Sequence, residues 1–145
     1  MNSPYIKTLR VIHLALFTGC LLFLIVGYFI KKESLFFDTS FSDPLSLLGV
    51  VSLALIFVSS FIYMQRLKTM NENDSIDIKK QKYQAAYILL LALIEGPALF
   101  NIVIFLTTNN AIHLVIASIF ILNLLSKMPN KIHISQVTNI PIDEL

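Results

Sequence analysis

Apolar residues gather into four unbroken runs, residues 11–30, 44–64, 83–106 and 111–126, and the polar residues fall between these runs. Alternation with a period of two would mark the strands of a membrane barrel. Continuous runs mark helices, because a segment inside lipid must satisfy its own backbone hydrogen bonds. A spanning helix needs about 20 mostly apolar residues to cross roughly 30 Å of hydrocarbon. The first three runs meet that length. The fourth is shorter, and either recruits Asn109 and Asn110 at its start or crosses with little tilt. The pattern predicts helices over about 9–30, 44–65, 80–106 and 110–127, with a tail over 128–145. The fold class expected is all-α, a four-helix transmembrane bundle forming a single membrane domain over 1–145. Only Thr107, Thr108, Asn109 and Asn110 separate spans 3 and 4, which predicts a tight antiparallel hairpin.

Charge placement sets the expected topology. Lys7 and Arg10 precede span 1, Lys31 and Lys32 follow it, and Arg66, Lys68, Lys79, Lys80 and Lys82 lie between spans 2 and 3. The turn after span 3 has no basic residue, and Lys127 and Lys131 follow span 4. Nine of the eleven basic residues therefore fall on one side. The positive-inside rule makes that side the cytoplasm and predicts both termini there. Residues 31–43 carry Leu35, Phe36, Phe37 and Phe41, which suits either a loop lying on the membrane surface or a lid packed over the bundle. Ser75 is placed to cap a stretch leading into span 3, and Tyr63, Tyr83 and Tyr87 suit the headgroup level.

Composition narrows the function classes. Of 145 residues, 56% are apolar and 14% charged, against about 45–50% and 25% in soluble domains. The mean hydropathy is +0.75. No Lys/Arg cluster is interleaved with aromatics, so no nucleic-acid partner is expected. The single Cys20 excludes an internal disulfide and a paired-thiol membrane enzyme. Phe17-Thr18-Gly19-Cys20 resembles a lipoprotein cleavage box, but Leu21 to Ile30 continue the apolar run where a cleaved signal would turn polar. Residues 11–30 therefore read as a retained helix. There is no Ser/His/Asp set, Gly-rich phosphate loop or paired intramembrane carboxylate, so no enzyme is expected. The three histidines sit at different depths, so neither a metal nor another cofactor is expected.

Of the twenty charged residues, Glu95 alone lies inside an apolar run, about midway along residues 83–106. A charge at that depth costs at least ~2.5 kcal/mol on insertion scales. It survives when paired, when facing a cavity, or when protonated. Gly96 and Pro97 follow it. Pro97 has no N–H and so leaves the Leu93 carbonyl without its helical donor. Glu95, Pro97 and Leu93 are thus the candidate ion- or proton-binding set. Ala92 and Ala98 flank Glu95, and Ala92 with Gly96 forms a small-xxx-small pair that favours close helix approach, so Glu95 is expected to face a protein interface. By depth, Ser52, Ser118, Thr18 and Cys20 are possible polar partners, with Asn101 further along α-helical span 3 and off the Glu95 face. His13 and Asn123 lie at similar depth in spans 1 and 4 and form a secondary candidate pair.

Two resemblances follow from these residues. The stretch Ala92-Leu93-Ile94-Glu95-Gly96-Pro97-Ala98-Leu99-Phe100 resembles the ion-binding helix of rotary ATPase c-type (proteolipid) subunits. That resemblance covers one helix and implies an ion-carrying role for Glu95. The rest departs from it, since c-type rings pack through glycine-rich helices and this chain has four glycines. More of the chain is similar to a group of uncharacterised small four-span inner-membrane proteins of Bacteroidetes-type bacteria. The likeness rests on Leu9-Arg10-Val11-Ile12-His13 opening span 1, the Glu95–Phe100 run, and the Met128-Pro129-Asn130-Lys131 exit. It implies the bacterial inner membrane and marks His13 and Glu95 as polar positions.

The function expected is a small multi-pass membrane protein in the lipid bilayer, working as a homo-oligomer or as an accessory subunit of a larger membrane complex. Glu95 would be its protonatable hub. One alternative is a proton- or cation-translocating component. Another is a lipid- or quinone-binding module in which Glu95 meets the head group.

Overall fold

In the computed structural model, which describes residues 4–40 and 43–145, nearly all of the chain outside the connections is helical. The α-helices are α1 (Pro4–Lys31), α2 (Pro44–Val51), α3 (Leu55–Leu67), α4 (Ile76–Thr108), α5 (Ala111–Ser126) and α6 (Lys131–Thr138). A 3-10 turn, Ser52–Ala54, joins α2 to α3, and a second, Ile142–Glu144, follows α6. Three stretches are long and apolar enough to cross a membrane: Pro4–Lys31, Pro44–Leu67 and Ile76–Thr108. A fourth is reached only by joining α5 to α6 across a 75° bend. The protein is a small multi-pass helical membrane protein with up to four apolar spans.

Local chemistry explains the helix limits. Asp43 caps α2, its carboxylate accepting from the Leu45 and Ser46 amides at 2.9 and 3.0 Å, and Pro44 opens the helix where no N–H partner is needed. Ser75 caps α4 through the Ile78 amide. That helix then runs through Pro97 without ending and stops at Asn109, which is left-handed with φ 60°. Asn110 then caps α5 through the Ile112 amide at 3.2 Å. At about 1.5 Å per residue, α5 is shorter than the hydrocarbon core is thick. It ends before Pro129, where the chain turns into α6, capped by Asn130.

The central helix is α4, against which α1, α3 and α5 all pack. Half of its most apolar window is buried, against 17% for each of the other two spans. The outward faces of those spans carry Val11, Phe29, Phe57 and Phe61, all more than 60% exposed in the isolated chain. In a membrane protein these are lipid-facing positions.

Hydrogen bonds show which segments share an end. The Tyr5 hydroxyl donates to the Lys80 carbonyl at 2.9 Å, and the Lys80 ammonium donates to the Glu144 carbonyl at 2.7 Å. The Lys82 ammonium meets the Asp74 carboxylate at 2.7 Å and the Thr69 carbonyl at 3.1 Å. The start of α1, the 68–75 connection and the end of the chain therefore lie together. At the other end, Phe36 pairs its backbone with Asn109 and Ala111, and the Asn110 side chain exchanges bonds with the Asp38 backbone. Residues 36–38 are thus pinned to the α4–α5 turn, while the Phe36 and Phe37 side chains stay exposed. Phe41 lies outside the described residues.

The segment after α5, read above as a tail, is folded: Ile134, Ile140 and Leu145 are buried. Its polar composition hides the apolar positions that return to the bundle.

The left-handed turn gives a test. Asn109→Val, which puts a β-branched side chain at φ 60°, should cost about 1–2 kcal/mol, whereas Asn109→Gly should be neutral or stabilising. Thermal melts of helicity in detergent micelles report the difference, and equal melts for the two variants would refute the strain argument.

Candidate functional site

The buried polar chemistry sits on α4 at two levels, with Glu95 between them. Nearest the Phe36–Asn110 end, Asn101 is completely buried. Its amide nitrogen donates to the Ser52 hydroxyl at 3.0 Å and to the Pro97 carbonyl at 2.9 Å. Its oxygen lies 3.0 Å from His113 Nδ1. With both amide donors committed, Oδ1 must accept, so His113 carries its proton on Nδ1. His113 Nε2 is then a lone-pair nitrogen, buried and without a partner. One residue thereby ties α4 to α5 and to the 3-10 turn after α2.

Close approach of α2 makes this cluster possible. A Cβ added at Gly49 would lie 2.7 Å from His113 Nδ1 and 2.8 Å from Asn101 Oδ1. Asp43, six residues before Gly49 at the start of α2, is an electrostatic neighbour of His113. Its carboxyl is held below the usual range, first by the Ser46 hydroxyl and then by the Leu45 and Ser46 amides.

At the opposite end, His13 of α1 is fully buried and its Nδ1 lies 2.7 Å from the Tyr87 hydroxyl. That hydroxyl donates to the Lys127 carbonyl at 3.1 Å, so His13 Nδ1 is the donor in the first bond. His13 Nε2 is again buried and unpartnered. Tyr83 stacks on Tyr87 at 6.0 Å between ring centroids, and Tyr63 meets the edge of Tyr83 at 6.4 Å. Three aromatic rings from α3 and α4 form one wall.

Several expected contacts are not made. His13 does not pair with Asn123: it bonds Tyr87, and the buried Asn123 amide nitrogen has no partner. Ser118 bonds the Leu114 carbonyl of its own helix at 2.8 Å. Ser52 belongs to Asn101. Thr18 is exposed. Of the residues expected near Glu95, Cys20 is its electrostatic neighbour. Glu95 itself is half-buried, and among the described residues it accepts no hydrogen bond. Ala92 and Gly96 are exposed, and nothing lies within 4 Å of a Cβ built at Gly96. The Ala92–Gly96 pair is therefore not buried within the chain, whereas Ala98 is. Pro97 is buried, and Leu93 is half-buried.

No family model, curated protein or solved structure matches the chain.

Asn101 as a hub and the tyrosine wall were missed in the sequence. The sequence offers Asn101 as a possible polar partner for Glu95, but it lies about 120° round the helix from that residue, and that angle turns it toward Ser52 and His113. Tyr83 and Tyr87 share a face by their four-residue spacing, which was the available signal.

Two outcomes follow. Gly49→Ala should destabilise the protein by about 1–3 kcal/mol through overpacking, read as a lower melting temperature; an unchanged melt would mean that Asn101 and His113 do not press on α2. The depressed Asp43 carboxyl makes its capping contribution complete above its unfolded pKa near 3.9, and loses it as pH falls through the lower folded value. Amide exchange at Leu45 and Ser46 should thus be flat from neutral pH down to about pH 5, after correction for intrinsic rates, and Asp43→Asn should weaken protection at neutral pH.

Proposed function

We propose that this protein is a non-enzymatic, four-span component of the bacterial inner membrane with both termini in the cytoplasm. It works by associating with a second copy or with a larger membrane complex, and Glu95 is the protonatable group at that contact. The observation carrying this reading is the state of Glu95. The carboxyl is half-buried in the middle of α4 without a hydrogen bond from the described residues, beside exposed Ala92 and Gly96. Small residues on a membrane helix let another helix approach closely, and a carboxyl left in lipid gains from any donor or acceptor brought to it.

The orientation is supported by the grouping of ends. The start of α1, the basic α3–α4 connection and the end of the chain are bonded together. The nine basic residues counted to one side therefore gather at one end. A translocating role would use the same carboxyl. It predicts modification by a hydrophobic carbodiimide that falls with rising pH or is blocked by sodium.

The association reading is tested by cross-linking in native membranes. With Cys20 replaced by Ala, Ala92→Cys should form a disulfide-linked dimer or an adduct with another membrane protein on mild oxidation. Adding Glu95→Gln should preserve the product, since the amide keeps the hydrogen bonding, and adding Glu95→Ala should reduce it several-fold. A monomeric Ala92→Cys protein under all conditions would sink the proposal.

A further inference from the structure

A cleft of about 490 Å³ opens where α3, α4 and the α5–α6 bend converge. It lies at the end of the bundle that holds Tyr5 and Glu144, and is separate from Glu95 and from the Asn101 cluster. Its volume falls within the roughly 300–1,000 Å³ of small-molecule sites. Tyr63, Tyr83 and Tyr87 form one wall, Leu90 contributes an apolar surface deeper along α4, and Lys127 and His133 stand at the bend. No carboxylate lines the cleft among the described residues.

The wall is rigid before any ligand arrives. The Tyr87 hydroxyl is bound on both sides, to His13 and to the Lys127 carbonyl, and its ring is stacked on Tyr83. Preformed walls lower the ordering cost of binding. The cleft also spans the right depth. Ser60 and Leu90 belong to the apolar spans Pro44–Leu67 and Ile76–Thr108, Lys127 directly follows α5, and His133 lies in α6 past the bend. It is therefore apolar inside, cationic at the rim and free of acid, at the level where lipid headgroups lie.

We infer that this cleft binds an anionic phospholipid, its phosphate at Lys127 and His133 and its glycerol and upper acyl chain along Tyr63, Tyr83 and Leu90. Basic pockets between membrane helices take acidic headgroups in this way. The inference needs the protein to be in a membrane and is independent of the role proposed for Glu95. The anionic phosphate chemistry is shared with free phosphate, but the apolar interior of the cleft favours the lipid.

The test is native mass spectrometry of the full chain, delipidated in detergent and given phosphatidylglycerol or phosphatidylcholine of the same acyl chains. One phosphatidylglycerol should bind with a preference of about fivefold, the contribution of one lysine near a headgroup. The double variant Lys127→Gln/His133→Gln should abolish the preference, while Lys7→Gln, at the same end but outside the cleft, should keep it. The Lys127 carbonyl that holds Tyr87 is a backbone group and is unaffected by the first variant. Ser60→Phe, which fills the cleft from α3, should remove the bound lipid with helicity unchanged. No preference in the parent protein, equal loss in Lys7→Gln, or retention in Ser60→Phe would each overturn the assignment. Displacement by excess inorganic phosphate would also overturn it, in favour of a free-anion site.

Discussion

Helices in lipid gain little from placing leucine against leucine, because the acyl chains they displace are equally apolar. Register and partner choice must come from close packing and from polar bonds that have no competitor in hydrocarbon. Here both converge on α4. Tyr87 fastens it to α1 through His13 and to the end of α5 through the Lys127 carbonyl. Asn101 fastens it to the start of α5 through His113 and to the second span through Ser52. The two residues are fourteen positions apart, about 21 Å along the helix. The bonds to α5 pair the early part of α4 with the end of α5, and the late part of α4 with its start. That pairing is the antiparallel arrangement, imposed at two points. The short α5 is thereby held along its whole length, which matters for a helix that is not long enough to span hydrocarbon by itself.

Both staples use histidine in the same sense, with Nδ1 donating and Nε2 left as a buried acceptor. A serine hydroxyl in that role could donate and accept through the same oxygen. The histidine ring separates its two nitrogens and can commit one while keeping the other apart. The Asn101 staple also depends on what is missing beside it, since the space that a side chain at Gly49 would take is occupied by the Asn101 oxygen and the His113 ring. Glycine serves here as room for a polar bond rather than for an unusual backbone angle.

The long helices were legible because a membrane imposes one dominant requirement, an apolar run of spanning length, and that requirement is written residue by residue. The hydrogen-bond partners were not legible, because they depend on helix rotation and crossing. His13 and Asn123 were matched by depth alone, yet depth leaves the angle around each helix open, and His13 turns to Tyr87. The 3-10 turn at Ser52–Ala54 had no glycine or proline to announce it. Its one local cue is Ser52, whose hydroxyl returns to the Gly49 carbonyl. The segment after α5 carries apolar residues at Ile134, Ile140 and Leu145, too widely spaced among polar neighbours for a hydropathy window to register.

The contrast between Glu95 and the other polar residues of the spans bears on where its function lies. Ser52, Ser59, Ser118 and Asn101 each have a hydrogen-bond partner within the chain, and the two buried histidines are bonded through Nδ1. Ser59 and Ser118 bond carbonyls of their own helices, whereas Asn101, Ser52 and the two histidines tie one helix to another. Glu95 makes no such tie, for it is half-buried and receives no hydrogen bond from the described residues. A mid-span carboxyl is costly whether charged or neutral and unpaired. In the role proposed above, that cost is offset by a second chain brought to Ala92 and Gly96, the exposed small residues beside the carboxyl.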